Sequence, residues 1–100
     1  MSRAEEIAVS LGDPGAAERF TAARQFLRLH LLVRREIPNG RDFLFSGPAA
    51  EIQEALKELV AIEHRAGRFL QFNYARIEEY FLLRVVGGPD HSSVIETYFD

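Results

Sequence analysis

The chain has 100 residues and a mass of 11.4 kDa, one domain of ordinary size, and 47% apolar with 27% charged residues is a globular composition with no room for a second core. The absence of Cys and Trp removes disulfides, thiolate zinc sites, cysteine nucleophiles and the strongest cation-π platform. A balance of 12 basic against 15 acidic residues, net charge -3, argues against a nucleic-acid backbone binder, which needs a basic excess.

No run of about eighteen apolar residues occurs, and Met1-Ser2-Arg3-Ala4-Glu5-Glu6 lacks the basic-then-apolar layout of an export signal. The expectation is a soluble, cytoplasmic, single-domain protein without a membrane span. Its basic residues are all Arg except Lys57. A GC-rich genome explains that at least as well as bidentate anion recognition does.

Residues 1–12 mix Ser, Ala and Glu with a few aliphatics and read as loosely ordered. At Asp13-Pro14 the side chain of Asp can accept from free helix N–H groups and Pro fits the first helical position, so a helix should begin there. Phe20, Ala23, Leu27 and Leu31 carry it to about Arg28. Leu27, Leu29, Leu31 and Val33 also alternate as a strand would, which leaves residues 28–33 open between helix and strand. Ile37-Pro38-Asn39-Gly40-Arg41 is a hairpin signal, because Asn-Gly accepts the positive φ of a tight turn; it pairs a strand at Leu32 to Ile37 with Asp42 to Ser46.

After Gly47-Pro48, the stripe Ile52, Ala55, Leu56, Leu59, Ile62 and Ala66 opposes Glu51, Glu54, Glu58 and Arg65 and predicts an amphipathic helix. Gly67 should close it in left-handed conformation. Strands Arg68 to Tyr74 and Glu79 to Val86 follow, joined by Ala75 to Glu78. A short helix with Val94, Ile95, Tyr98 and Phe99 comes last. The order hairpin, helix, hairpin, helix predicts an α+β fold with a four-stranded sheet, permuted ferredoxin-like, behind an N-terminal helix. Its strands should lie in the order Val33, Leu44, Leu83, Phe72. Helices on one face leave the second to the first helix or to another subunit.

His30, His64 and His91 have no metal-ligand spacing, there is no Gly-x-Ser-x-Gly elbow and no phosphate-cradling Gly-rich loop, so neither a metal nor a cofactor is expected. Arg34, Arg35 and Arg41 beside the first hairpin read as protection of an edge strand rather than an anion site. Tyr74, Tyr80 and Arg84, with Glu63 and His64, are the candidate lining of a ligand pocket between sheet and helices. Sheet packing or an interface is the competing reading. Two functions follow: a non-enzymatic binding or accessory domain that self-associates as a homodimer, or a small dimeric ferredoxin-like enzyme or ligand sensor for a small molecule.

Glu63-His64-Arg65-Ala66-Gly67-Arg68-Phe69-Leu70 resembles a segment of small uncharacterised bacterial proteins in which a helix ends in Glu-Arg-x-Cys-Cys-Pro-Phe-Leu and runs into a strand. The likeness extends over about Arg19 to Phe99 through Asn39-Gly40, Phe45, Phe72, Leu83 and Gly88-Pro89. It implies the scaffold. Ala66 and Gly67 replace the vicinal cysteines, so the thiol or heavy-metal role that the resemblance implies cannot operate in this chain. Glu63 is the one charged match, and a nearby arginine such as Arg68 is its expected partner.

Overall fold

Residues 2–67 and 70–100 are described by the computed structural model. Residues 3–11, expected to be loosely ordered, form a helix. The Ser2 hydroxyl accepts from the Glu5 N–H while the Glu5 carboxylate accepts from the Ser2 N–H, both at 3.2 Å. This reciprocal cap starts α1 (Arg3–Leu11), which Gly12 ends at φ 60°. A Ser three residues ahead of a Glu was the signal. Asp13 then accepts from the Ala16 N–H at 3.2 Å, and Pro14 opens α2 (Pro14–Leu29) as read from the sequence.

His30 resolves the ambiguity over residues 28–33. Its Nδ1 lies 2.9 Å from the Phe26 carbonyl and its ring packs on Phe26 at 4.5 Å, so the helix stops there and β1 (Leu31–Ile37) begins. β1 pairs antiparallel with β2 (Gly40–Phe45), with an irregularity in register between Leu31 and Val33. In the turn only Asn39 takes positive φ, 62°. Gly40 serves another need: a Cβ there would overlap the Val85 carbonyl oxygen and lie 2.9 Å from Val86 Cα.

The predicted amphipathic helix is α3 (Ala49–Ala66), with Ile52, Leu56, Leu59, Val60 and Ile62 buried. Gly67 follows at φ 72°, ψ 132°. The positive φ agrees with expectation; the ψ does not, so this is an extended exit rather than a left-handed cap. Next come β3 (Gln71–Ile77) and β4 (Tyr80–Val86). The expected strand start at Arg68 and Phe69 lies outside the described residues. The turn sits at Glu78-Glu79, later than the expected Ala75 to Glu78, because Ile77 pairs with Tyr80 and Glu78 adopts φ 58° with no Gly to mark it. A 3-10 turn (Pro89–His91) leads into α4 (Ser92–Glu96).

The sheet order is β1-β2-β4-β3, every pair antiparallel. Strand alternation puts Phe43, Phe45, Phe81, Leu83, Val85 and Phe72 on one face, where they are buried with Phe20, Leu27, Leu56, Leu59 and Phe99. Phe99 closes this core edge-on against Phe43 and Phe45, at 4.8 and 5.4 Å. α1 and α2 pack on each other and on α3, so neither is available to cover the opposite face. Among the described residues no helix is long and apolar enough to cross a membrane.

The two glycines separate packing from backbone strain. Gly67→Ala meets no described neighbour within 4 Å, but φ 72° with ψ 132° is backbone that L residues rarely adopt, so it should cost about 1–3 kcal/mol through conformation alone. Gly40→Ala must force β2 from β4 and should cost about 1–3 kcal/mol through packing. Urea unfolding should find both variants destabilised.

Candidate functional site

Three polar constellations stand out. The first is inside the core. Glu63 falls on the apolar stripe of α3, two turns after Leu56 and one after Leu59, and is 2% exposed. Arg3 of α1 donates to Glu63 Oε1 through Nε at 2.9 Å and also through Nη2, and the Tyr98 hydroxyl donates to Oε2 at 2.6 Å. Burial first, then the Glu63 charge and hydrogen bond, push the Tyr98 hydroxyl well above its ordinary value, so it remains a neutral donor. Both carboxylate oxygens are engaged by the protein. The partner expected for Glu63, Arg68, lies outside the described residues.

The second constellation crosses the open face of the sheet. Asp42 is 3% exposed because Arg35 and Arg84, its cross-strand neighbours on β1 and β4, fold over it. Arg84 donates through Nε and Nη2 at 2.7 and 2.9 Å, Arg35 through Nη2 at 2.8 Å. Apolar rows flank this ionic row: Val33, Leu44, Leu82 and Ala75 on one side, Ile37 and Val86 on the other.

The third is a groove of about 340 Å³ between the β1–β2 turn and the Gly88-Pro89 turn. Arg41 lines it with a side chain only 16% exposed, between Glu36 Oε1 at 3.3 Å and Glu96 Oε1 at 3.9 Å. Ile37, Pro89 and Ile95 supply apolar wall. The Gly87 N–H donates to the Asn39 carbonyl at 2.7 Å and fastens the two turns together.

The predicted pocket is not assembled. Tyr80 and Arg84 alternate with Phe81 and Leu83 and so occupy the sheet face away from the helices. Tyr74 stands opposite Leu83 on the helix side, at the β3 edge, 40% exposed. Glu63 is enclosed in the core, and His64, the next residue on α3, is exposed. Of these five residues only Tyr80 and Arg84 share an environment. Of the groove's charged residues only Arg41 is a candidate in the sequence; Glu36 faces it across the Asn39 hairpin, whereas Glu96 is 55 positions from Arg41 and nothing local announces it.

No family model, no curated protein and no solved structure matches this chain. Its chemistry is therefore read from its own side chains. Among the described residues, no group of three or more His, Asp or Glu could hold a metal ion.

Removing the Tyr98 hydroxyl leaves Glu63 Oε2 buried without a donor. Tyr98→Phe should cost on the order of 1–3 kcal/mol, read by thermal or urea unfolding. At Asp42, the hydrogen bond from Arg84 is the largest influence; burial opposes it, Arg35 adds to it, and the carboxyl is held below its ordinary range. That stability is complete above the ordinary aspartate value of about 3.9 and is lost as pH falls through the lowered folded value. Asp42→Asn should be less stable than the parent at neutral pH, and the gap should close in acid. The effect is modest because both arginines reach solvent. Urea titrations across the acid range test it.

Proposed function

We propose that this protein is a non-enzymatic binding or accessory domain, bacterial and cytoplasmic, that self-associates by pairing β3 of one copy with β3 of a second. The observation that carries this is the unequal treatment of the two sheet edges. β1 is blunted as natural edges are, by its irregular register and by Arg34, Arg35 and Glu36 in succession. β3 has a regular register and a single charge, Arg76 near its end. Its register with β4 runs unbroken over seven residues, it carries no charge from Gln71 to Ala75, and every residue but Phe72 is exposed.

The second copy is favoured over another strand because β3 is self-complementary. An antiparallel pair centred on Tyr74 sets Asn73 against Ala75 and Phe72 against Arg76, with no like charges opposed, and Tyr74 against its own counterpart. Tyr74 and Ile77, 40% and 48% exposed, add apolar area beside the backbone bonds. The strand order supports reading the sheet as a permuted ferredoxin-like arrangement, and the bacterial assignment leans on the resemblance at Glu63 to Leu70. The acidic balance supports a partner that is protein rather than nucleic acid. The rival reading, an enzyme or ligand sensor, would need a pocket other than the one expected at Tyr74, Tyr80 and Arg84.

Sedimentation velocity between about 5 and 500 µM spans the affinities that a single edge contact supports. The parent should pass from monomer to dimer over this range, and Asn73→Lys/Ala75→Lys should stay monomeric with an unchanged fold. Val33→Lys, on the other edge strand, should dimerise like the parent. A parent that is monomeric throughout, or a dimer indifferent to the β3 lysines, overturns the proposal.

A further inference from the structure

Arg41 is an arginine withdrawn from water with most of its hydrogen-bonding capacity unused. Its guanidinium makes one hydrogen bond, from Nη2 to Glu36 at 3.3 Å, and approaches Glu96 only at 3.9 Å. Nε and Nη1 have no partner among the described residues and neither is fully buried; the side chain they belong to lines the groove. A guanidinium presents five N–H groups in a planar fork that matches a carboxylate bidentately. Neither Glu36 nor Glu96 takes that geometry, and both carboxylates are largely in solvent, at 79% and 56% exposure. They flank the arginine without occupying it.

The charges around the groove specify more than an anion. One guanidinium between two carboxylates leaves the site negative, so a simple anion would meet repulsion from both sides. A ligand carrying an anionic and a cationic group close together satisfies all three. Its carboxylate would take the free edge of the Arg41 fork, and its ammonium would pair with Glu36 or Glu96 at the carboxylate oxygen that Arg41 does not approach, Oε2. Ile37, Pro89 and Ile95 form apolar wall beside this polar trio, and about 340 Å³ is within the range of small-molecule sites and ample for a single amino acid. We infer that this groove is a binding site for a small zwitterion of the α-amino-acid class with an aliphatic side chain. The site is independent of dimerisation, because it lies on the hairpin of β1 and β2 while β3 forms the opposite edge of the sheet.

Three probes separate the charge requirements on the parent protein: L-leucine, N-acetyl-L-leucine, which lacks the cation, and L-leucinamide, which lacks the anion. Amide chemical shifts of the 15N-labelled protein should move on titration with L-leucine up to about 10 mM, at Ile37 to Arg41 and Gly88 to Glu96. Each singly charged analogue should bind at least about tenfold more weakly, roughly the loss of one charge-assisted contact. Arg41→Gln should lose the response to L-leucine while keeping the dispersed spectrum of a folded chain. If that variant fails to fold, Glu96→Gln, at an exposed side chain, should weaken L-leucine and leave N-acetyl-L-leucine unweakened. No response to L-leucine, or either analogue binding as well as L-leucine, overturns the assignment.

Discussion

A carboxylate taken out of water without compensation costs more than the stability of a domain this size can absorb, so the placement of Glu63 at 2% exposure constrains everything around it. Its two oxygens need donors, and the donors come from opposite ends of the described chain, Arg3 and Tyr98. Tyr98 in turn packs on Phe20, Phe72 and Phe99 at 6.4, 5.6 and 5.1 Å. The ion thus fixes where α1 lies on α3, and through the tyrosine it fixes how the C-terminal aromatics close over the sheet. An apolar residue at position 63 would pack, but it would make neither of the contacts that tie Arg3 of α1 and Tyr98 to α3.

With the helices gathered on one side, the sheet is left with a dry face and a wet one. The wet face is not simply polar. Asp42 is roofed by two arginines, and this row separates apolar rows that would otherwise merge into one patch. The ionic row therefore does for the face what the bulge and charges of β1 do for that edge: it makes association through it costly. β3, with Arg76 as its one charge, is the less protected edge of the sheet, and on that contrast the self-association reading rests.

Much of the architecture was legible because it depends on local chemistry. Asp13-Pro14, the 3.6-residue stripe from Ile52 to Ala66 and the Asn39 turn each act through neighbours a few positions away, and hairpin-helix-hairpin order restricts the sheet to few topologies. The misses have two causes. Some local signals were present and unread: Ser2 with Glu5 is a capping box, and Glu63 interrupts an apolar stripe, which is how a buried carboxylate shows itself. Others were not local at all. The β3–β4 turn at Glu78-Glu79 has no Gly or Pro, so only cross-strand pairing locates it. The predicted ligand pocket failed on parity, since Tyr80 and Arg84 share a strand face that Phe81 and Leu83 do not. The Arg41 groove depends on two turns meeting far apart in sequence, which no spacing rule reveals.

The Arg3–Glu63–Tyr98 cluster also sets the timetable of folding during synthesis. Glu63 is 60 positions from Arg3 and 35 from Tyr98. At about 5–20 residues per second, the ribosome delivers Tyr98 roughly 2–7 s after Glu63. Until Tyr98 is added, Glu63 has no donor for Oε2 and Phe20 and Phe72 lack the ring that packs between them, so this part of the core cannot be completed on a shorter nascent chain.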